Sequence, residues 1–109
     1  MNHARIQSTG SYLPDRVMEN VELEARVDTT DAWIRERTGI ARRHIAAPEQ
    51  TCSDLAQHAA LNAISAAGLQ ADAIDRPLVA TSPPESVLPS SACTVIVRLN
   101  IPSGAIASV

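Results

Sequence analysis

The chain has 109 residues, 45% of them apolar, and a formal charge of −3 at pH 7. That length suits one small domain with no second. So mild a charge points to neither nucleic acid nor an anionic membrane surface as a partner. Phe is absent and every basic residue is Arg, so the predicted core is built from Ala, Leu, Ile and Val, which favours close helix packing. No run of about 18 apolar residues is available for a transmembrane helix. Met1-Asn2-His3-Ala4-Arg5 lacks the apolar region of a signal peptide, and Cys52 and Cys93 have neither metal-type spacing nor a disulfide-rich setting. These features predict a reduced, cytoplasmic protein.

Ile6 to Leu13 reads as a short strand, with Gly10 permitting a bend and Pro14-Asp15 ending it. Asn20 reads as the N-cap of a short helix carrying Val21, Leu23 and Val27. A second helix is predicted to begin near Thr29 or Thr30, with Asp31 in its first turn favoured by the helix dipole and Gly39 as its stop. "IARRHIA" alternates as an extended segment, closed by Pro48. The clearest helix runs from 53 to 67, capped by Ser53 and followed by Gly68, with an apolar stripe from Leu55 through Ala60 to Ala67 at helical spacing.

Leu78 to Thr81 then reads as a buried strand broken by Pro83-Pro84, as a βαβ unit with a covered parallel sheet requires. Residues 90 to 99 carry two signals. Their β-branched run Thr94 to Val97 favours a strand. Their Pro-Ser-Ser opening, with Ala92, Cys93, Ile96 and Leu99 on one face, favours a helix, and helix is the reading adopted. "GAIASV" reads as the beginning of another strand. No internal repeat or low-complexity segment is present.

Two groupings could carry chemistry. Trp33 and Arg37 are four apart, so on a helix an indole and a guanidinium share one face. Such a ledge can stack a nucleobase while the Arg holds phosphate, and Thr29, one turn earlier, could add a hydroxyl. A Trp that half-covers a small core among solvated arginines gives the same pattern, and the residues alone favour that plainer arrangement. The second grouping pairs Cys52 or Cys93 with His44 or His58. A catalytic thiol needs a base or a helix N-terminus beside it. Cys93 does sit early in its predicted helix, but its neighbours are apolar, and buried free Cys is usually inert packing. His44 has no visible partner and His58 lies off the apolar stripe. There is no Gly-rich phosphate loop, nucleophile elbow or metal-ligand spacing.

Four blocks, "GSYLPDRVMEN", "VDTTDAWIRERTGIARRHIA", "SDLAQHAALNAISAAGL" and "VATSPPESVLPSSAC", resemble in order and spacing the N-terminal part of bacterial β-ketoacyl-acyl carrier protein synthase III, over residues 5 to 99. The resemblance implies an α/β chain, an incomplete N-terminal half of the five-layered αβαβα thiolase fold. Residues 1–109 would form a partial N-terminal thiolase-like domain ending before the family's catalytic Cys. It also implies an acyltransferase that condenses acetyl-CoA, or another acyl-CoA, with malonyl-acyl carrier protein to start type II fatty acid synthesis. The coenzyme A thioester is then a substrate, with no tightly bound cofactor and no metal, and the full-length enzyme is a homodimer.

Carried over position by position, Trp33 stacks on the coenzyme A adenine, Arg37 contacts its adenine and phosphate region, and Thr29 lines the same site. Leu88 stands where the family often has Phe, near the dimer interface and acyl pocket. Cys93 matches a non-nucleophilic Cys of the family. Its nucleophile, His and Asn have no counterpart before Val109, so the chain alone is expected to be inactive. Asn100, Ala107 and Ser108 depart from the family's Gly, Phe and Asp. Two other outcomes stay open: a non-catalytic coenzyme A-binding or dimerising remnant, and part of a related thiolase-fold synthase of secondary metabolism.

Overall fold

The computed structural model describes residues 3–82 and 89–102. Its elements are β1 (Arg16–Glu19), α1 (Asn20–Glu24), α2 (Asp31–Thr38), β2 (Arg42–Ile45), α3 (Cys52–Ala66), a 3₁₀ turn (Ala71–Ala73) and α4 (Ser91–Arg98). They divide into two compact units, Leu13–Glu49 and the remainder of the chain. No helix among the described residues is long and apolar enough to cross a membrane.

In the unit Leu13–Glu49, β1 and β2 pair antiparallel, with Arg16 opposite Ile45 and Glu19 opposite Arg42. Helix α1 follows β1 without a break, and the Glu19 amide donates to the Glu22 carboxylate to close its first turn. Asn20 is therefore not the cap expected from sequence; it lies inside α1 and is 1% exposed. Helix α2 follows expectation, with Thr30 as cap and Gly39 in the left-handed region at φ 71°. Met18 from β1, Ile34 from α2 and Pro14 are the buried apolar side chains of this unit.

The other unit is built on α3 and α4. Helix α3 is capped by Thr51, two residues before the expected Ser53, which is instead completely buried. Thr51 and Asp54 cap each other reciprocally: the Thr51 hydroxyl accepts from the Asp54 amide and the Asp54 carboxylate from the Thr51 amide. The ambiguous segment 90–99 is helical, because Ser90 accepts the Cys93 amide and three residues of one face, Ala92, Val95 and Leu99, are buried. Asn100, at φ 53°, ends the helix, and the Ile101 amide returns to the Ile96 carbonyl. Val95, Leu99 and Ile101 pack on Ala56, Ala60 and Ile74. Burial of each large aliphatic side chain in such a cluster is worth about 1.5–3 kcal/mol. Asp54 and Arg98 pair between the two helices at 2.5 Å.

Two expected strands are not formed. Residues 6 to 13 find no ladder partner among the described residues. Instead Ser8 donates to the Ala63 carbonyl and Asn62 to the Ser11 carbonyl, so the segment runs along α3 through side-chain bonds. Leu78 makes only an isolated bridge and is 72% exposed rather than buried. The expected parallel sheet is thus absent among the described residues, since a strand's buried face exists only once neighbours cover it. The expected strand at 104–109, Pro83-Pro84 and Leu88 lie outside the described residues.

Gly10 marks the closest approach of the N-terminal segment to α3. A Cβ there would lie 2.8 Å from the Ala63 Cα and closer still to the Ala63 nitrogen and Ala59 carbonyl. Because those are backbone atoms of a helix, Gly10→Ala is expected to destabilise by about 2 kcal/mol, read as a lowered midpoint in urea. Asp54 supplies a pH signature. Hydrogen bonds from Thr51, backbone and side chain, hold its carboxyl below its ordinary value near 3.8, aided by Arg98. A lowered folded-state pKa gives stability that is present above the unfolded value and lost as pH falls through the folded one. The urea-midpoint difference between wild type and Asp54→Asn should therefore shrink as pH falls below the ordinary carboxyl value near 3.8; a constant difference contradicts this role.

Candidate functional site

The site is built on α2, within the unit Leu13–Glu49. Thr30 takes an extended backbone and accepts the Trp33 amide at 3.2 Å, which starts the helix. Asp31 occupies the first position, where its charge suits the dipole, and Arg35 one turn later donates Nε to both its oxygens at 2.8 and 2.9 Å. Bonds from Asn20 and Arg35 keep the Asp31 carboxyl below its usual range. At the other end Thr38 donates to the Ile34 carbonyl and the Gly39 amide to the Arg35 carbonyl. The helix turns Ile34 inward, 8% exposed, and leaves Trp33 outward at 54%.

Arg37 lies over the indole, its Cζ 5.7 Å from the ring centroid, inside the range of a cation–π contact. No carboxylate pairs with Arg37 among the described residues, so its outer edge is free to meet an anion. Beside the indole, Asp28, Thr29, Thr30 and Trp33 line an open pocket of about 240 Å³. The Thr29 hydroxyl is buried there without a hydrogen-bond partner. All three residues singled out from sequence thus fall on one short stretch of surface, Trp33 and Arg37 in contact and Thr29 lining the pocket with Trp33.

The thiol–imidazole pairing rejected from sequence is not assembled. Cys52 Sγ donates to the Thr81 hydroxyl and Cys93 Sγ accepts from Ser90. His44 bonds the Pro14 carbonyl, and His58 stacks on Tyr12 at 4.5 Å between centroids. What the sequence reading missed is the support behind α2. Asn20 Nδ2 donates to Asp31 Oδ1 at 2.7 Å and to the Ile40 carbonyl at 2.8 Å, while its Oδ1 accepts from Arg43 at 2.6 Å. Burial of a lone Asn leaves no periodic signal, so nothing in the sequence marked it.

No family model matches the chain. Single relatives do. Over 98% of its length it is 50% identical to the β-ketoacyl-acyl carrier protein synthase III of Alkalilimnicola ehrlichii, and over 93% it is 54% identical to that of Laribacter hongkongensis. The chain is homologous to part of a ketoacyl synthase III. It spans 33% and 32% of those two relatives. The fold agrees: 95% of the chain superposes on 33% of the 3-oxoacyl-acyl carrier protein synthase III of Aquifex aeolicus, with TM-score 0.86 and 41% identity. The priming β-ketosynthase of the R1128 polyketide pathway matches at TM-score 0.87 and 30% identity, over 31% of its length. The architecture is thus a portion of the thiolase fold shared by ketoacyl synthase III enzymes.

The caps of α2 should determine how well the ledge is formed. Thr30→Ala removes the acceptor for the Trp33 amide and is expected to lower stability by about 1 kcal/mol, measured by urea unfolding followed through Trp33 fluorescence. A midpoint equal to that of wild type would show that the cap contributes nothing.

Proposed function

We propose that this chain carries the coenzyme A entrance of a β-ketoacyl-acyl carrier protein synthase III. Such an enzyme condenses acetyl-CoA, or another acyl-CoA, with malonyl-acyl carrier protein to begin type II fatty acid synthesis. The coenzyme A thioester is a passing substrate rather than a resident cofactor, and the whole enzyme works as a cytoplasmic homodimer. The observation that supports this reading is the exposed Trp33–Arg37 pair beside the unpartnered Thr29 hydroxyl, on a chain half identical to such synthases.

The chemistry fits each part. Adenine has a π-face that stacks on an indole, a contact worth roughly 1–3 kcal/mol per base. Arg37, already over that ring, presents N–H donors that suit a phosphate. The Thr30 bond to the Trp33 amide fixes the backbone from which the indole projects. A related reading, a condensing enzyme that primes polyketide synthesis, is supported by the likeness to the R1128 ketosynthase. It uses the same nucleotide contacts and differs in what is condensed.

Titration with coenzyme A, followed by Trp33 fluorescence, tests the proposal. Coenzyme A and adenosine 3′,5′-bisphosphate should quench the indole, whereas pantetheine should not. Arg37→Ala should raise Kd by roughly tenfold or more, as expected for the loss of a charge-assisted hydrogen bond. Absence of quenching by coenzyme A, or quenching unchanged in Arg37→Ala, overturns the proposal.

A further inference from the structure

We propose that Asn20 is the positioning residue of the Trp33–Arg37 ledge, its single buried carboxamide holding both ends of the helix that carries them. The proposal rests on the coenzyme A reading for its binding readout and on geometry alone for its structural one. Helix α2 has eight residues, too few to be stable in isolation, so its placement depends on what holds it. One amide nitrogen reaches the carboxylate of its first residue, Asp31, at 2.7 Å and the carbonyl of Ile40, just past its Gly39 stop, at 2.8 Å. The amide oxygen accepts from Arg43 of β2 at 2.6 Å.

Only one orientation of the carboxamide satisfies these neighbours, since two acceptors face one side and a cation the other. At 1% exposure the Asn20 carboxamide itself is closed to water. The Asn20 carboxamide bonds Asp31, Ile40 and Arg43 rather than Trp33 or Arg37, so its influence passes through the backbone of α2. Trp33 lies two residues beyond Asp31, only about 3 Å along the helix axis, and a displacement at the clamp reaches the indole almost undiminished. Asp31 itself is gripped from outside by Arg35 and has its amide bonded to Glu24. The clamp therefore has two sides, and Asn20 is the inner one.

Asn20→Asp keeps size and shape but turns a donor into a carboxylate facing the Asp31 carboxylate and the Ile40 carbonyl. Two signals are read on the 109-residue chain: the Trp33 indole resonance of the unliganded protein, and Kd for coenzyme A. Asn20→Asp should move the resonance and raise Kd roughly tenfold, with helix content by circular dichroism retained. Asn20→Asp combined with Asp31→Asn exchanges amide and carboxylate across the contact. It restores the contact with residue 31 but not the one with the Ile40 carbonyl, so it should return the resonance and Kd part of the way toward wild type, a coupling that simple loss of stability does not produce. If Asn20→Asp does not fold, Asn20→Ser, whose small side chain admits water to both acceptors, is read by the same signals. An unmoved resonance with an unchanged Kd in the folded variant, or no recovery in the double variant, overturns the proposal. Should wild type bind no coenzyme A, the coenzyme A reading falls, and the indole resonance of Asn20→Asp and of the double variant alone decides the positioning role.

Discussion

A buried carboxamide between a carboxylate, a peptide carbonyl and a guanidinium is the contact on which the ledge depends. Asn20 satisfies three neighbours from a position that water does not reach. A hydrogen bond of this kind adds only about 1 kcal/mol when made, but an orphaned buried partner costs about 1–3 kcal/mol. The energetic weight of Asn20 is therefore asymmetric: an apolar replacement would take the donor from the Ile40 carbonyl and the acceptor from Arg43, while Asp31 keeps its bonds from Arg35. Arg43 already keeps one buried nitrogen without a partner, which leaves that side no slack. A neutral amide also suits its surroundings better than a charge, because it donates and accepts at once between groups of opposite sign.

That dependence accounts for the unequal fate of the sequence readings. Helices α2, α3 and α4 were legible because their signals are local: Thr30, Thr51 and Ser90 accept amides of their own first turns, and Gly39 and Asn100 take left-handed backbone at the ends. Trp33 and Arg37 were placed together by nothing more than helical spacing. Ser53 and Asn20 deceived for the same reason. Each has the chemistry of a cap, yet each is buried inside a helix one or two residues beyond the actual cap. Composition tells that a polar side chain can bond a backbone amide, and not that a neighbouring residue does so first.

The extended reading of "IARRHIA" holds as β2, while the strand readings at 6–13 and 78–81 failed on a different link. A hydrophobic alternation describes a face, and whether the face becomes a ladder depends on a partner elsewhere in the chain. Val17 and His44 found theirs in each other's strands. Residues 6 to 13 instead follow α3, where Gly10 lets the backbones approach and Ser8 reaches a helical carbonyl. Small residues make that approach possible: α3 presents Ala59 and Ala63 to Gly10, and Ala56 and Ala60 to the cluster around Val95. The absence of Phe, which in the sequence favours close helix packing, is matched by the close contact at Gly10.

The ledge combines two demands that oppose each other. To receive an adenine ring, Trp33 must stay exposed and Arg37 must keep its outer edge unpaired, and neither then contributes much to holding α2 in place. An eight-residue helix without a broad buried face cannot supply that rigidity from propensity, and only Ile34 of α2 is fully turned inward. The rigidity comes instead from polar groups at its two ends: Thr30 and Asp31 where it starts, Gly39 and Ile40 where it stops, with Asn20 joining the two. A ring carried on a backbone held this way starts from a fixed position, which is what the proposed nucleotide contact would require of a small and open surface. The same economy explains why Thr29 can leave its hydroxyl without a partner. With α2 fixed elsewhere, one unsatisfied buried group beside the pocket is tolerated.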